Sequence, residues 1–110
     1  MNKYRNKTTE VNGINFSSKK EAKRYKDLKL LQAAGEIRHL TLQETFVIKV
    51  NGVKICSYRC DFQYEEKGKI LGGGQDWVLI IEDCKGYKTP AYRMKRKLME
   101  AVFGVIIRET

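Results

Sequence analysis

Residues 77–85 read WVLIIEDCK, five apolar residues running straight into Glu82, Asp83, Cys84 and Lys85. An apolar run of this kind, with no polar alternation, fits a strand covered on both faces at the centre of a sheet. Its charged end is then the point where a buried strand emerges. Asp83 and Lys85 are two residues apart, so in an extended segment they share a face and Glu82 lies on the other.

Upstream, Asn51-Gly52 has the dipeptide signature of a tight hairpin turn, and a strand should follow from Val53 to about Tyr64. Its parity puts Cys56, Tyr58, Cys60, Phe62 and Tyr64 on one face. Ser57, Arg59, Asp61 and Gln63 lie on the other, polar one. EEKGK and LGGGQ read as turns between this strand and the central one, and Ile37 to Val50 is rich in β-formers. VNGINF carries a second Asn-Gly hairpin signal. Ser17 and Ser18 can cap a helix reaching about Ala34, where Gly35 stops it, and Ser18 with Glu21 has capping-box spacing. Gly86 to Pro90 reads as a loop, followed by a helix from about Ala91 to Phe103 ending at Gly104, and the chain closes on VIIRE. The order is one helix, three or four strands, a helix and a strand. That is an α/β fold, a mixed sheet flanked by helices.

At 110 residues the chain makes one domain, with residues 1–10 read as a mobile basic arm. No stretch approaches the roughly 18 apolar residues of a membrane span, so no membrane partner is expected. The N-terminus has no apolar segment of a secretory signal. Cys56, Cys60, Cys84 and the single histidine are too few and wrongly spaced for a zinc site, and an odd cysteine count argues against a disulfide framework. A reducing, cytoplasmic location fits. The formal charge is +9, from 22 Lys and Arg against 13 Asp and Glu, which favours a polyanionic partner such as nucleic acid.

Within that basic background the placement of acids is informative. At about 100° per residue, Glu21 falls in the middle of the first helix's apolar stripe, among Ala22, Tyr25 and Leu28. A carboxylate facing a core is costly unless it is capped, paired or bound to a cation. Lys95 lies inside the apolar arc of the second helix in the same way, where its stem can snorkel outward. If the strands bearing Asp61 and Asp83 are neighbours, two carboxylates and Lys85 converge at one end of the sheet, within reach of Glu21. Two aspartates side by side repel each other unless a divalent cation lies between them. Mg²⁺ takes a few carboxylates, waters and phosphate oxygens.

Asp61 and Asp83-Cys84-Lys85, 22 residues apart, resemble the acid and acid-x-Lys of the PD-(D/E)xK nuclease superfamily. SSKKEAKRY, LQETF, YRCDFQY, IIEDCKG, TPAYRMKRKL and the terminal G-V-x-I-R-E strand resemble, in that order, a family of small phage-encoded proteins within it. The likeness spans about residues 3 to 109. It implies an αβββαβ restriction-endonuclease-like core and a metal-dependent DNA endonuclease, similar to Holliday-junction resolvases, acting in the bacterial host cytoplasm with junction or branched DNA as candidate substrates. It implies Mg²⁺ or Mn²⁺ held by Asp61, Asp83 and the Cys84 backbone carbonyl, with Glu21 at a second metal or a bound water. Lys85 would orient water or stabilise charge at phosphorus. Lys95, Tyr92, Gln43 and Lys88 would contact DNA. Cys60 stands where the motif's proline would be, and Glu44 where this small family has a proline. A symmetric homodimer would supply two sites for cutting two strands. The alternative is a DNA-binding or partner-binding protein that keeps the nuclease fold without its chemistry.

Overall fold

The computed structural model describes residues 8–69, 75–84 and 87–110. Lys85 and the LGGG of the expected turn lie outside them. Strands β1 (Thr9–Val11) and β2 (Ile14–Phe16) form the first hairpin. Thr9 and Glu10, expected in the basic arm, instead pair with Phe16 and Asn15, and residues 1–7 lie outside the described residues. Helix α1 (Lys19–Ala33) follows, then β3 (Ile37–Leu42), β4 (Thr45–Val50), β5 (Val53–Arg59), β6 (Phe62–Lys69), β7 (Gln75–Asp83), α2 (Pro90–Phe103) and β8 (Ile107–Glu109).

Among the described residues, four strands form one sheet in the order β3-β6-β7-β8. The first three run antiparallel, and β8 lies parallel to β7 after the α2 crossover. Of the WVLII segment only Ile81 has a strand on each side, because β8 pairs with Ile81 to Asp83 alone. The expected cover on both faces is therefore confined to the end of β7: Trp77 and Ile80 are half-buried, and Val78 and Leu79 are exposed where β8 is too short to reach. Strands β4 and β5 form a separate two-stranded hairpin closed by Asn51-Gly52. Both turn residues adopt positive φ, 50° and 77°, the left-handed pair that the right-handed twist of a two-residue hairpin requires.

The structure corrects the reading of residues 53–69. The long strand expected from Val53 to Tyr64 is two strands, broken at Cys60 and Asp61. The expected EEKGK turn is instead the continuation of β6, which pairs with β7 from Phe62–Glu82 to Lys69–Gln75. The apolar parity survives the break, since Tyr58, Cys60, Phe62 and Tyr64 are all buried, but it serves two cores. Phe62 and Tyr64 join Ala22, Tyr25 and Leu28 of α1. Tyr58 and Cys60 join Ile48, Ile81, and Tyr92 and Met99 of α2. The bend at Asp61 carries the chain from the α2 side of the sheet to the α1 side. Alternation along one strand cannot reveal that exchange of faces.

Helix ends follow the sequence closely. Ser18 caps α1, its Oγ accepting the Glu21 N–H at 3.1 Å, and Thr89 caps α2 through the Tyr92 N–H at 3.1 Å, with Pro90 in the first turn. Gly104 ends α2.

Candidate active site

The ends of β6 and β7 place Asp61 beside Asp83. Phe62 pairs with Glu82, so the residue before one and the residue after the other are neighbours across the ladder. Asp61 is anchored on both flanks. Its N–H donates to the Glu82 carbonyl at 3.2 Å, its carbonyl accepts the Gln43 N–H at 3.1 Å, and its carboxylate Oδ2 accepts the Cys84 N–H at 2.7 Å. Asp83 is fully buried, and its carbonyl accepts the Thr110 N–H at 2.9 Å. Lying on the Ile81 face, it looks toward α2. Burial, the hydrogen bond to Glu109 and the charge of Asp83 together push the Tyr92 hydroxyl well above its usual range.

Glu82 occupies the opposite face, as strand parity requires, and is equally buried. Arg24 of α1 grips it with two hydrogen bonds, Nε at 2.6 Å and Nη2 at 2.9 Å, while Tyr64 Oη donates at 2.5 Å and Thr110 Oγ1 at 3.3 Å. Burial and the Glu82 carboxylate raise the Tyr64 hydroxyl to about 12, and Arg108 donates to that hydroxyl at 3.2 Å while also pairing with Glu66. Every lone pair of Glu82 that matters is taken by its own fold. Its role is to lock α1 onto the sheet, and the network of Arg24, Tyr64 and Thr110 left no motif in the sequence.

Glu21 is 5% exposed, on the buried face of α1 as its helical position predicts. Its carboxylate accepts from Ser17 Oγ at 2.8 Å. Its charge reaches Cys84, whose thiol is raised by burial first and then, despite a lowering Thr110 contact, by Asp61, Glu82 and Glu21. Glu21 thus borders the site at Cys84. Among the described residues, no three His, Cys, Asp or Glu side chains form one metal-holding group, so Glu21 is not drawn into a single cluster with Asp61 and Asp83.

The α2 side carries the residues expected to touch nucleic acid. Tyr92 Oη donates to Glu109 Oε2 at 3.0 Å, and Lys88 and Arg96 reach Glu109 Oε1 at 3.3 and 2.9 Å. Burial would raise the Glu109 carboxyl, but the contacts from Tyr92 and Lys88 outweigh it and hold it below its usual value. Tyr92 is buried, so its ring has no free face for a base, and Lys88 is already ion-paired. Gln43, exposed and with φ of 56°, accepts from Arg59 Nη2. Lys95 is half-buried in the wall of a cavity of about 430 Å³ between α2 and the β4–β5 hairpin.

The residue types fit a hard divalent cation. Asp61 and Asp83 flank the Phe62–Glu82 pair at the end of the ladder, the Asp61 carboxylate is oriented by a backbone amide, and Cys84 with its carbonyl follows Asp83 directly in the chain. Two thiols, Cys60 and Cys84, feel the Asp61 charge, and burial first raises both above their ordinary value.

No curated protein and no solved structure matches the chain. A family model described as "Protein of unknown function (DUF1064)" matches residues 1–108, nearly the whole chain, and the protein is therefore a member of that family.

Proposed function

We propose that the protein is a metal-dependent endonuclease that hydrolyses phosphodiester bonds of DNA. The observation that carries this reading is the placement of Asp61 and Asp83 side by side where β6 and β7 leave the sheet, one carboxylate tethered by the Cys84 amide and the other fully buried. The element order supports it. With the β1–β2 and β4–β5 hairpins set aside, α1, β3, β6, β7, α2 and β8 follow the αβββαβ pattern of the restriction-endonuclease-like core.

A Mg²⁺ or Mn²⁺ ion bound by the two aspartates and the Cys84 carbonyl would supply an activated water and neutralise charge on the phosphate. The chain's own residues do the rest. The buried end of β7 fixes Asp83, the Cys84 amide fixes Asp61, and Glu21 would hold a water or second cation on the α1 side. Lys85, two residues beyond Asp83, stabilises charge gathering on phosphorus. The +9 surface draws the polyanion toward an acidic spot that would otherwise repel it. Junction or branched DNA is the favoured substrate class, and a homodimer would pair two sites for two strands.

The test is a panel of branched, nicked, single-stranded and linear duplex DNA incubated with Mg²⁺, Mn²⁺ or EDTA. Cutting with metal, abolished by EDTA and by Asp83→Ala, is the expected result. Binding without cutting by any metal would favour the non-catalytic DNA-binding reading, and equal cutting by Asp83→Ala would remove the site assignment.

A further inference from the structure

The β4–β5 hairpin lies outside the four-stranded sheet, yet it builds a cavity against the start of α2. The cavity holds about 430 Å³ and its wall includes Thr45, Ser57 and Arg59 from the hairpin and Thr89 and Lys95 from around α2, with Tyr58 between them. Its charged lining is entirely cationic. Among the described residues neither Arg59 nor Lys95 has an ion pair, although the chain's other well-placed cations, Arg24, Arg38, Lys88, Arg96 and Arg108, all do. The positive end of the 14-residue α2 dipole opens at Thr89, in the same wall.

A second observation is independent of the helix end. Tyr58 is 3% exposed and its hydroxyl is shut off from solvent with no hydrogen-bond partner, an arrangement that costs free energy until an acceptor arrives. The nearby ring is Tyr92, 6.5 Å away between centroids, whose own hydroxyl serves Glu109. The cavity is also coupled to the acids from both sides. Arg59 holds Gln43, whose N–H holds the Asp61 carbonyl, and Tyr92 feels the charge of Asp83.

We infer that this cavity is a phosphate-binding subsite, built by an arm outside the core sheet, which holds a phosphate group of the DNA strand next to the one positioned at Asp61 and Asp83. Arg59 supplies the fork that a tetrahedral anion accepts, Lys95 a point charge, and Ser57, Thr45 and Tyr58 neutral donors. The subsite sets which bond of the strand reaches the acids. It rests on the reading of the protein as a DNA-acting enzyme, but it is tested by binding alone.

The experiment uses the full chain in EDTA, where no hydrolysis occurs, and a fluorescent 20-base-pair duplex with or without a 5′-phosphate, read by anisotropy across salt concentrations. Arg59→Gln should weaken binding roughly tenfold and lower the magnitude of the salt slope by about one, as expected for a lost phosphate contact. Tyr58→Phe, which changes no charge, should weaken binding severalfold while leaving the thermal midpoint of the free protein unchanged or higher. Lys29→Gln, an exposed lysine on the outer turns of α1, is the control and should stay within twofold. A loss in both duplex arms identifies an internal phosphodiester, and a loss confined to the phosphorylated arm identifies a terminal phosphate; either supports the subsite.

Wild-type affinity and slope for both Arg59→Gln and Tyr58→Phe would overturn it, as would no binding of DNA by the wild type. If the subsite variants lose affinity while no metal ever supports cutting, only the catalytic reading fails. If the wild type cuts and the variants bind normally, only the subsite fails.

Discussion

Glu82 and Asp83 are adjacent and both fully buried, yet the pleat of β7 sends them to opposite faces and opposite tasks. Glu82 is closed by Arg24, Tyr64 and Thr110, so removing its carboxylate leaves a guanidinium without its partner. Glu82→Ala should therefore destabilise the fold by about 3–5 kcal/mol, the cost of breaking a buried ion pair from one side, visible as a lowered urea midpoint. Asp83→Ala should instead lower cutting by roughly a thousandfold, through the loss of cation-based charge stabilisation, with far less change in the urea midpoint than Glu82→Ala causes. The reverse pattern would mean that strand parity assigns the wrong acid. Tyr64 gives a pH signature of the same network. Its hydroxyl is raised in the folded state to about 12, above the ordinary value of 10.0 for an unfolded tyrosine. The folded state therefore holds this proton more tightly, so its stabilisation is complete below pH 10 and is lost as pH rises through about 12. Tyr64→Phe should flatten that alkaline limb, measured as denaturant midpoints between pH 9 and 12.

Elements position these residues through their ends more than their middles. Thr89 sets where α2 begins, and with it the direction in which Tyr92 and Lys95 leave the helix. Thr89→Ala removes the acceptor for the Tyr92 N–H and should cost about 1 kcal/mol in a denaturation midpoint. The hairpin β4–β5 depends likewise on its turn. Gly52 sits at φ 77°, so Gly52→Ala strains a backbone that has open space around it, and about 1 kcal/mol of stability should go with it. If the hairpin forms the phosphate subsite, loosening it should weaken DNA binding more than it weakens the fold. Both turn and caps were legible in the sequence because the chemistry is local: Asn-Gly, Ser-x-x-Glu and Thr-Pro each satisfy or permit a backbone conformation within three residues. The break at Cys60–Asp61 was not legible. The alternation from Cys56 to Tyr64 continues unbroken through it, and only the packing of α1 and α2 against different faces shows that one apolar stripe feeds two cores.

At the scale of the molecule, 22 Lys and Arg outnumber 13 Asp and Glu for a formal charge of +9. Affinity for duplex DNA should fall steeply between about 50 and 200 mM salt, and a shallow slope, of about two or less, would argue against a backbone-tracking surface. No described helix is long and apolar enough to cross a membrane. The sequence by itself determined the helices, the hairpin turns, the central strand and the parity that separates Asp83 from Glu82, because period, caps and turns are set by neighbours in the chain. It also put Glu21 on a buried helical face. What only the tertiary structure decided is which of these meet: Asp61 with Asp83 and the Cys84 amide, Arg24 with Glu82, Tyr92 and Lys88 with Glu109, and the hairpin with the start of α2. Those contacts join residues 17 to 58 positions apart, and at such separations the partner of a charge is chosen by how the sheet and helices stack, which no local pattern records.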